Sequence, residues 1–96
     1  MATIDIRRAH SVGVDEAKGK AEELAKEMKV KFELDWSWDG DRIRFKSERG
    51  VAKGTSGQVT VTAAEVRVEI DLPFLLRALK GTISSRVHEK LDTLLG

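Results

Sequence analysis

The stretch Phe32-Glu33-Leu34-Asp35-Trp36-Ser37-Trp38, then Asp39-Gly40, then Asp41-Arg42-Ile43-Arg44-Phe45-Lys46-Ser47, decides the fold. Two runs alternating apolar with polar flank an Asp-Gly pair. Asp-Gly between alternating runs is a strong hairpin signal, because both residues tolerate the positive φ of a type I′ turn. A two-residue loop at Asp39-Gly40 predicts Trp38 opposite Asp41, Trp36 opposite Ile43 and Leu34 opposite Phe45. On the other face it predicts Asp35 opposite Arg44 and Glu33 opposite Lys46. One face is then dry and the other charge-paired, and a one-residue slip would spoil both.

Working outward, Ala2 to Arg8 alternates around Ile4 and Ile6 and reads as a first strand. From Val14 the period changes. Val14, Ala17, Ala21, Leu24, Ala25 and Met28 fall on one helical stripe, with Lys and Glu opposite. Gly19 interrupts that helix at a cost of roughly 1 kcal/mol relative to Ala. Glu48 to Gly57, with three glycines, reads as a loop or an irregular strand start. Gln58 to Thr62 and Glu65 to Leu72 alternate again. A four-residue connection built on a type I turn sets Val61 opposite Val66 and Val59 opposite Val68. Pro73 ends the last strand and starts a helix, with a break at Lys80-Gly81 before the stripe Ile83, Val87, Leu91 and Leu94.

The expected order is β-α-β-β-β-β-α, an α+β fold. Five antiparallel strands have both helices on one face, and residues 1–96 form a single domain. Trp36, Phe45, Val68, Leu24 and Leu91 are expected to be buried together.

Composition narrows function by exclusion. Lys plus Arg is 17, Asp plus Glu is 16 and the net charge is +1, which disfavours a partner held by global charge. With no Cys there is no thiolate metal site, disulfide or thiol catalysis. No stretch has the apolar length of a membrane span, and the start lacks a signal-peptide core. A cytoplasmic protein is expected.

Candidate chemistry is sparse. His10, beside Ser11, has no locally placed Asp to orient it, and His88 falls at a helix position expected to be exposed. Asp39 and Asp41 are too few to hold a metal. The glycines at 50, 54 and 57 match no phosphate loop. Arg42, Arg44 and Lys46 lie on the face opposite the tryptophans, which argues against a nucleic-acid platform. No catalytic, cofactor-binding or metal residue is assigned, and no cofactor is expected. The segment Leu72 to Leu79 stands out, because its large apolar residues exceed what one buried stripe hides. Phe74, Leu75, Leu76 and Leu79 are therefore the candidate apolar contacts, with Arg77 and Lys80 beside them.

Ile4-Asp5-Ile6-Arg7-Arg8-Ala9-His10-Ser11, the Ala/Glu-rich helix and Trp38-Asp39-Gly40-Asp41 form one recognisable part. Leu72-Pro73-Phe74-Leu75-Leu76 through Lys80-Gly81, with Glu89-Lys90-Leu91 and Leu94-Leu95, forms the other. In this order they resemble the small bacterial family of polyhydroxyalkanoic acid system proteins. The segment Glu48 to Gly54 is longer than that family's usual connection. The resemblance implies association with polyhydroxyalkanoate storage granules and supplies no site residues. The expected function is that of a non-enzymatic accessory protein, meeting the granule surface, granule proteins or a second copy of itself. The element order also resembles a shortened helix-grip fold. The alternative function is binding of an apolar ligand, such as an acyl chain, between Trp36, Trp38 and the C-terminal helix.

Overall fold

The computed structural model describes residues 3–50 and 52–95. Ala2, at the start of the expected first strand, and Val51, within the expected loop, lie outside the described residues. Strand β1 (Ile4–Ala9) leads to helix α1 (Val14–Phe32), then to β2 (Asp35–Asp39), β3 (Arg42–Lys46), β4 (Ser56–Val61) and β5 (Glu65–Asp71). A 3-10 helix (Phe74–Leu79) runs into α2 (Lys80–Leu95). The sheet is wholly antiparallel with order β1-β5-β4-β3-β2, so α1 joins the two edge strands.

Single-faced strands force both helices to one side. Ile4, Ile6, Ile43, Phe45, Val59, Val61, Val66, Val68 and Ile70 are buried beneath them. Helix α1 lies against β2, β3 and β4, and α2 against β1 and α1. Ala17, Ala21 and Ala25 let α1 sit close to the sheet, with Leu24 filling between them. Acidic Asp15 and Glu16 at its start and basic Lys29 and Lys31 at its end suit the helix dipole. The β4–β5 register pairs Val61 with Val66 and Val59 with Val68, as the alternation predicts.

The β2–β3 hairpin keeps its faces but moves its pairing by two residues. Trp36 lies opposite Phe45, not Ile43, and Trp38 opposite Ile43, not Asp41. The loop is Gly40-Asp41, and Asp39 stays in the strand opposite Arg42. Gly40 has φ +63° while Asp41 has negative φ, which is the sign pattern of a type II′ turn rather than I′. Glycine supplies the positive φ at the first loop position, so the turn starts there. Asp41 is held on the far side by Lys18 of α1 at 2.9 Å, and its carbonyl accepts the Val61 N–H at 3.0 Å. The shift is even, so the dry face stays dry.

The expected strand start at Phe32 is also corrected. Phe32 closes α1, and Glu33 takes a left-handed conformation (φ 55°) with its amide donating to the Lys29 carbonyl at 3.0 Å. Glu33 and Leu34 therefore leave the β2–β3 ladder, and Leu34 is buried as a plug after the helix. The expected charge pairs change accordingly. Arg44 pairs with Asp39 at 2.8 Å and Lys46 with Glu48 at 3.0 Å. Trp36 is half-buried on edge strand β2, whereas Phe45, Val68, Leu24 and Leu91 are fully buried. Its truncation thus costs less than the roughly 3–5 kcal/mol of a fully enclosed aromatic.

Of the expected loop or irregular strand start, Ser56 and Gly57 form the start of β4, where Gly57 pairs with Phe45 and Ile70. A Cβ there would stand 2.7 Å from the Phe45 ring and 2.2 Å from the Glu69 carbonyl oxygen. The missing side chain gives Phe45 its place. A Cβ on Gly19, by contrast, meets nothing within 4 Å.

Two glycine substitutions should therefore move stability in opposite directions. Gly19→Ala is expected to raise unfolding free energy by about 0.8–1 kcal/mol through helix propensity alone. Gly57→Ala is expected to lower it by about 1–3 kcal/mol through overpacking. Urea midpoints at unchanged slope read both.

Acid sensitivity follows from the carboxylates that staple the elements. Arg67 grips Asp5 across β1 and β5 with two hydrogen bonds of 3.0 and 2.7 Å, which hold the Asp5 carboxyl below its usual range. Lys18 lowers Asp41, and the Trp38 indole N–H, at 3.0 Å, lowers Glu22. Folded-state values below unfolded ones give stability that is present above the ordinary carboxylate range and lost as pH falls through the folded values. The melting temperature is expected to hold from neutrality to about pH 5 and to fall below about pH 4. Asp5→Asn should shallow that fall. An equally steep fall in this variant would place the acid sensitivity elsewhere.

Candidate functional site

The chain after β5 is built in threes. Pro73, with φ −63° and extended ψ, directs it out of the sheet, and the Leu76 N–H donates to the Pro73 carbonyl at 2.9 Å. The Arg77 guanidinium donates back to the Leu72 carbonyl at 3.3 Å. In a 3-10 helix, side chains three apart eclipse. Leu76 and Leu79 thus share one line, while Phe74 and Leu75 stand on the two others. Leu72 is buried and Leu76 is half-buried against the core. Phe74 is 81 % exposed, Leu75 85 % and Leu79 49 %. Three large apolar side chains therefore meet water on one six-residue turn. Arg77 and Lys80 beside them are exposed.

Leu76 and Leu79 also form part of one wall of an open groove of about 670 Å³ between α1, α2 and the sheet. Phe45, Ile70, Leu72 and Leu34 lie toward the sheet, Leu24 and Met28 come from α1, and Ile83 and Val87 from α2. Its rim is charged. Glu27 of α1 takes Lys31 at 3.1 Å and also Lys90 of α2. The Lys90 and Lys31 ammoniums hold the Glu27 carboxyl below its usual range, so it is ionised at neutral pH. Arg86, one turn before Lys90 on α2, has no ion-pair partner among the described residues. Behind the groove, Arg8 of β1 pairs with Asp92 and fixes α2 to the sheet edge.

Trp36 and Trp38 do not line this groove. Trp38 packs under α1 with its indole N–H on Glu22. Trp36 instead borders a shallow depression of about 570 Å³ with Asp35, Arg44, Lys46, Gln58 and Glu69, a charged neighbourhood. His10 Nε2 lies 2.9 Å from the Thr62 carbonyl oxygen, so that nitrogen carries a proton, and His88 is exposed on α2. Asp39 and Asp41 each face a cation and do not converge. Among the described residues no group of three potential ligands could hold a metal, and no helix is long and apolar enough to cross a membrane.

Sequence reasoning missed the groove and its rim. The usable signal was Lys31 and Arg86/Lys90 flanking the apolar stripes of two different helices, with Glu27 placed to link them. Only the packing of α1 beside α2 brings these residues to one opening.

No curated protein and no solved structure matches the chain. A family model does match. Residues 4–95, nearly everything from β1 to the last turn of α2, fit the family described as Putative polyhydroxyalkanoic acid system protein. The matched region contains the exposed 3-10 turn, both groove walls and the whole sheet, and the chain belongs to that polyhydroxyalkanoic acid system family.

Proposed function

We propose that this chain is a non-enzymatic accessory protein of polyhydroxyalkanoate storage granules, acting in the cytoplasm at the granule surface. The observation that carries this reading is the 3-10 turn with Phe74, Leu75 and Leu79 facing water. Each such side chain gains roughly 1.5–3 kcal/mol when fully removed from water, so a monomer gains nothing by holding them out unless something covers them. A polyester surface offers apolar contact without a shaped pocket, which suits a protruding turn. Arg77 and Lys80 can lay their stems along such a surface and keep their charges in water. The family membership supplies the polyhydroxyalkanoate context.

The mechanism is adsorption. The turn enters the interface, while the sheet's charged face, with Arg67–Asp5 and Arg44–Asp39, stays in solvent. Granule proteins or a second copy are the competing partners, and they differ in what binding requires.

Leu75→Asp is expected to abolish co-sedimentation with protein-free polyhydroxybutyrate particles, because the carboxylate would have to be desolvated at the contact. Its melting temperature should match the parent, since Leu75 is 85 % exposed. Arg44→Ala, on the opposite face, should alter neither. Parent protein that ignores bare particles but binds native granules would point to a granule protein. Loss of a dimer in the Asp variant would point to self-association. Unchanged sedimentation of the Asp variant would refute docking at this turn.

A further inference from the structure

We infer that the groove between α1 and α2 is a binding site for a single-chain anionic amphiphile, a fatty carboxylate. This goes beyond granule docking and does not depend on it. The groove, about 670 Å³, lies within the roughly 300–1,000 Å³ typical of small-molecule sites. Its interior is apolar, from Leu24 and Met28 on one side to Ile83 and Val87 on the other, with Phe45 and Ile70 toward the sheet. Thr55 is a buried polar residue of the lining, and the charged groups are confined to the rim.

The rim chooses the head group. Lys31 and Lys90 both reach Glu27, so two ammoniums share one carboxylate and leave a surplus positive charge at the opening. Arg86 is a third cation on the same rim, with no ion-pair partner among the described residues and one helical turn from Lys90. Glu89 is the rim's other anion, and the total stays positive. A carboxylate on an acyl chain fits this arrangement, with its head between Arg86 and Lys90 and its tail over Phe45 and Ile70. A cationic or neutral head gains nothing from the surplus charge. A bidentate guanidinium contact to the carboxylate would be the strongest single polar interaction available there.

The test is calorimetric titration of the full chain with dodecanoate below its micelle concentration, paired with amide chemical-shift mapping. Saturable one-to-one binding is expected at a dissociation constant below about 1 mM. Shifts should centre on Leu24, Met28, Phe45, Ile70 and Ile83. Arg86→Glu should weaken dodecanoate about tenfold and leave dodecanol unchanged, since only the charged head uses that side chain. Glu27→Gln should strengthen it by freeing both lysines. Leu75→Asp should bind dodecanoate as the parent does, which separates this site from the granule turn. The inference is overturned by absence of saturation in the folded chain, by equal affinity for dodecyltrimethylammonium, or by shifts gathered around Arg44 and Lys46.

Discussion

A sheet with one apolar face must be roofed, and here two helices share it, with α1 carrying the chain from one edge strand to the other. Helix α1 connects β1 to β2, the two edges, and packs over β2, β3 and β4 on the way. Its 19 residues give about 28 Å of length, against about 19 Å for four interstrand spacings. Length is sufficient, and the alanines settle the height. Ala17, Ala21 and Ala25 bring the helix down onto Ile43, Val59 and their neighbours without a thick layer of side chains between. Larger residues at these positions would lift α1 and open the core beneath β3 and β4.

The groove follows from the same constraint. Helix α1 covers β2 to β4, and α2 is placed over the remaining edge by its own stripe, Val87 and Leu91, and by Arg8 on Asp92. Two straight helices on a twisted sheet do not close along their whole length. They meet through Lys90 and Glu27, and the space near Ile70 and Leu72 is left to be walled by the 3-10 turn. The ion pairs on the rim are exposed or half-exposed, so their direct contribution to stability is small. Their place at the opening leaves surplus positive charge there.

Much of the fold was legible because several residues repeated one message. The alternation in β4 and β5, the alanine stripe and the hairpin pairing of apolar with apolar all demanded one dry face. What failed was local. Asp39-Gly40 reads as a turn pair, yet the backbone places only Gly40 at positive φ and moves the loop one residue on. Phe32-Glu33-Leu34 continues the alternation on paper, but a left-handed Glu33 ends the helix instead. Gly57 looks like loop glycine until Phe45 is seen to need the space of its missing side chain. That part of Leu72 to Leu79 would be exposed was legible from composition, since the segment carries more hydrophobic bulk than a stripe hides. The groove was not, because its rim joins residues of two helices far apart in the chain.

The 3-10 turn shows why those residues divide as they do. A buried α-helical stripe through Leu72, Leu76, Leu79 and Ile83 would still leave Phe74 and Leu75 outside it, about 100–200° away. Tightening to three residues per turn puts Leu76 and Leu79 in line and sets Phe74 and Leu75 on separate lines. Six residues is long for such a helix, whose hydrogen bonds are poorer than those of an α-helix. The chain changes to α geometry at Lys80, where a regular amphipathic stripe resumes. The irregular segment is thus confined to the place where one turn serves two surfaces. Leu76 and Leu79 complete the groove wall, and Phe74 and Leu75 face away from it. Replacing the outward pair by polar residues would relieve an exposed apolar surface at no cost to the core, so nothing in the fold itself explains why they are apolar. The granule contact proposed above supplies that reason.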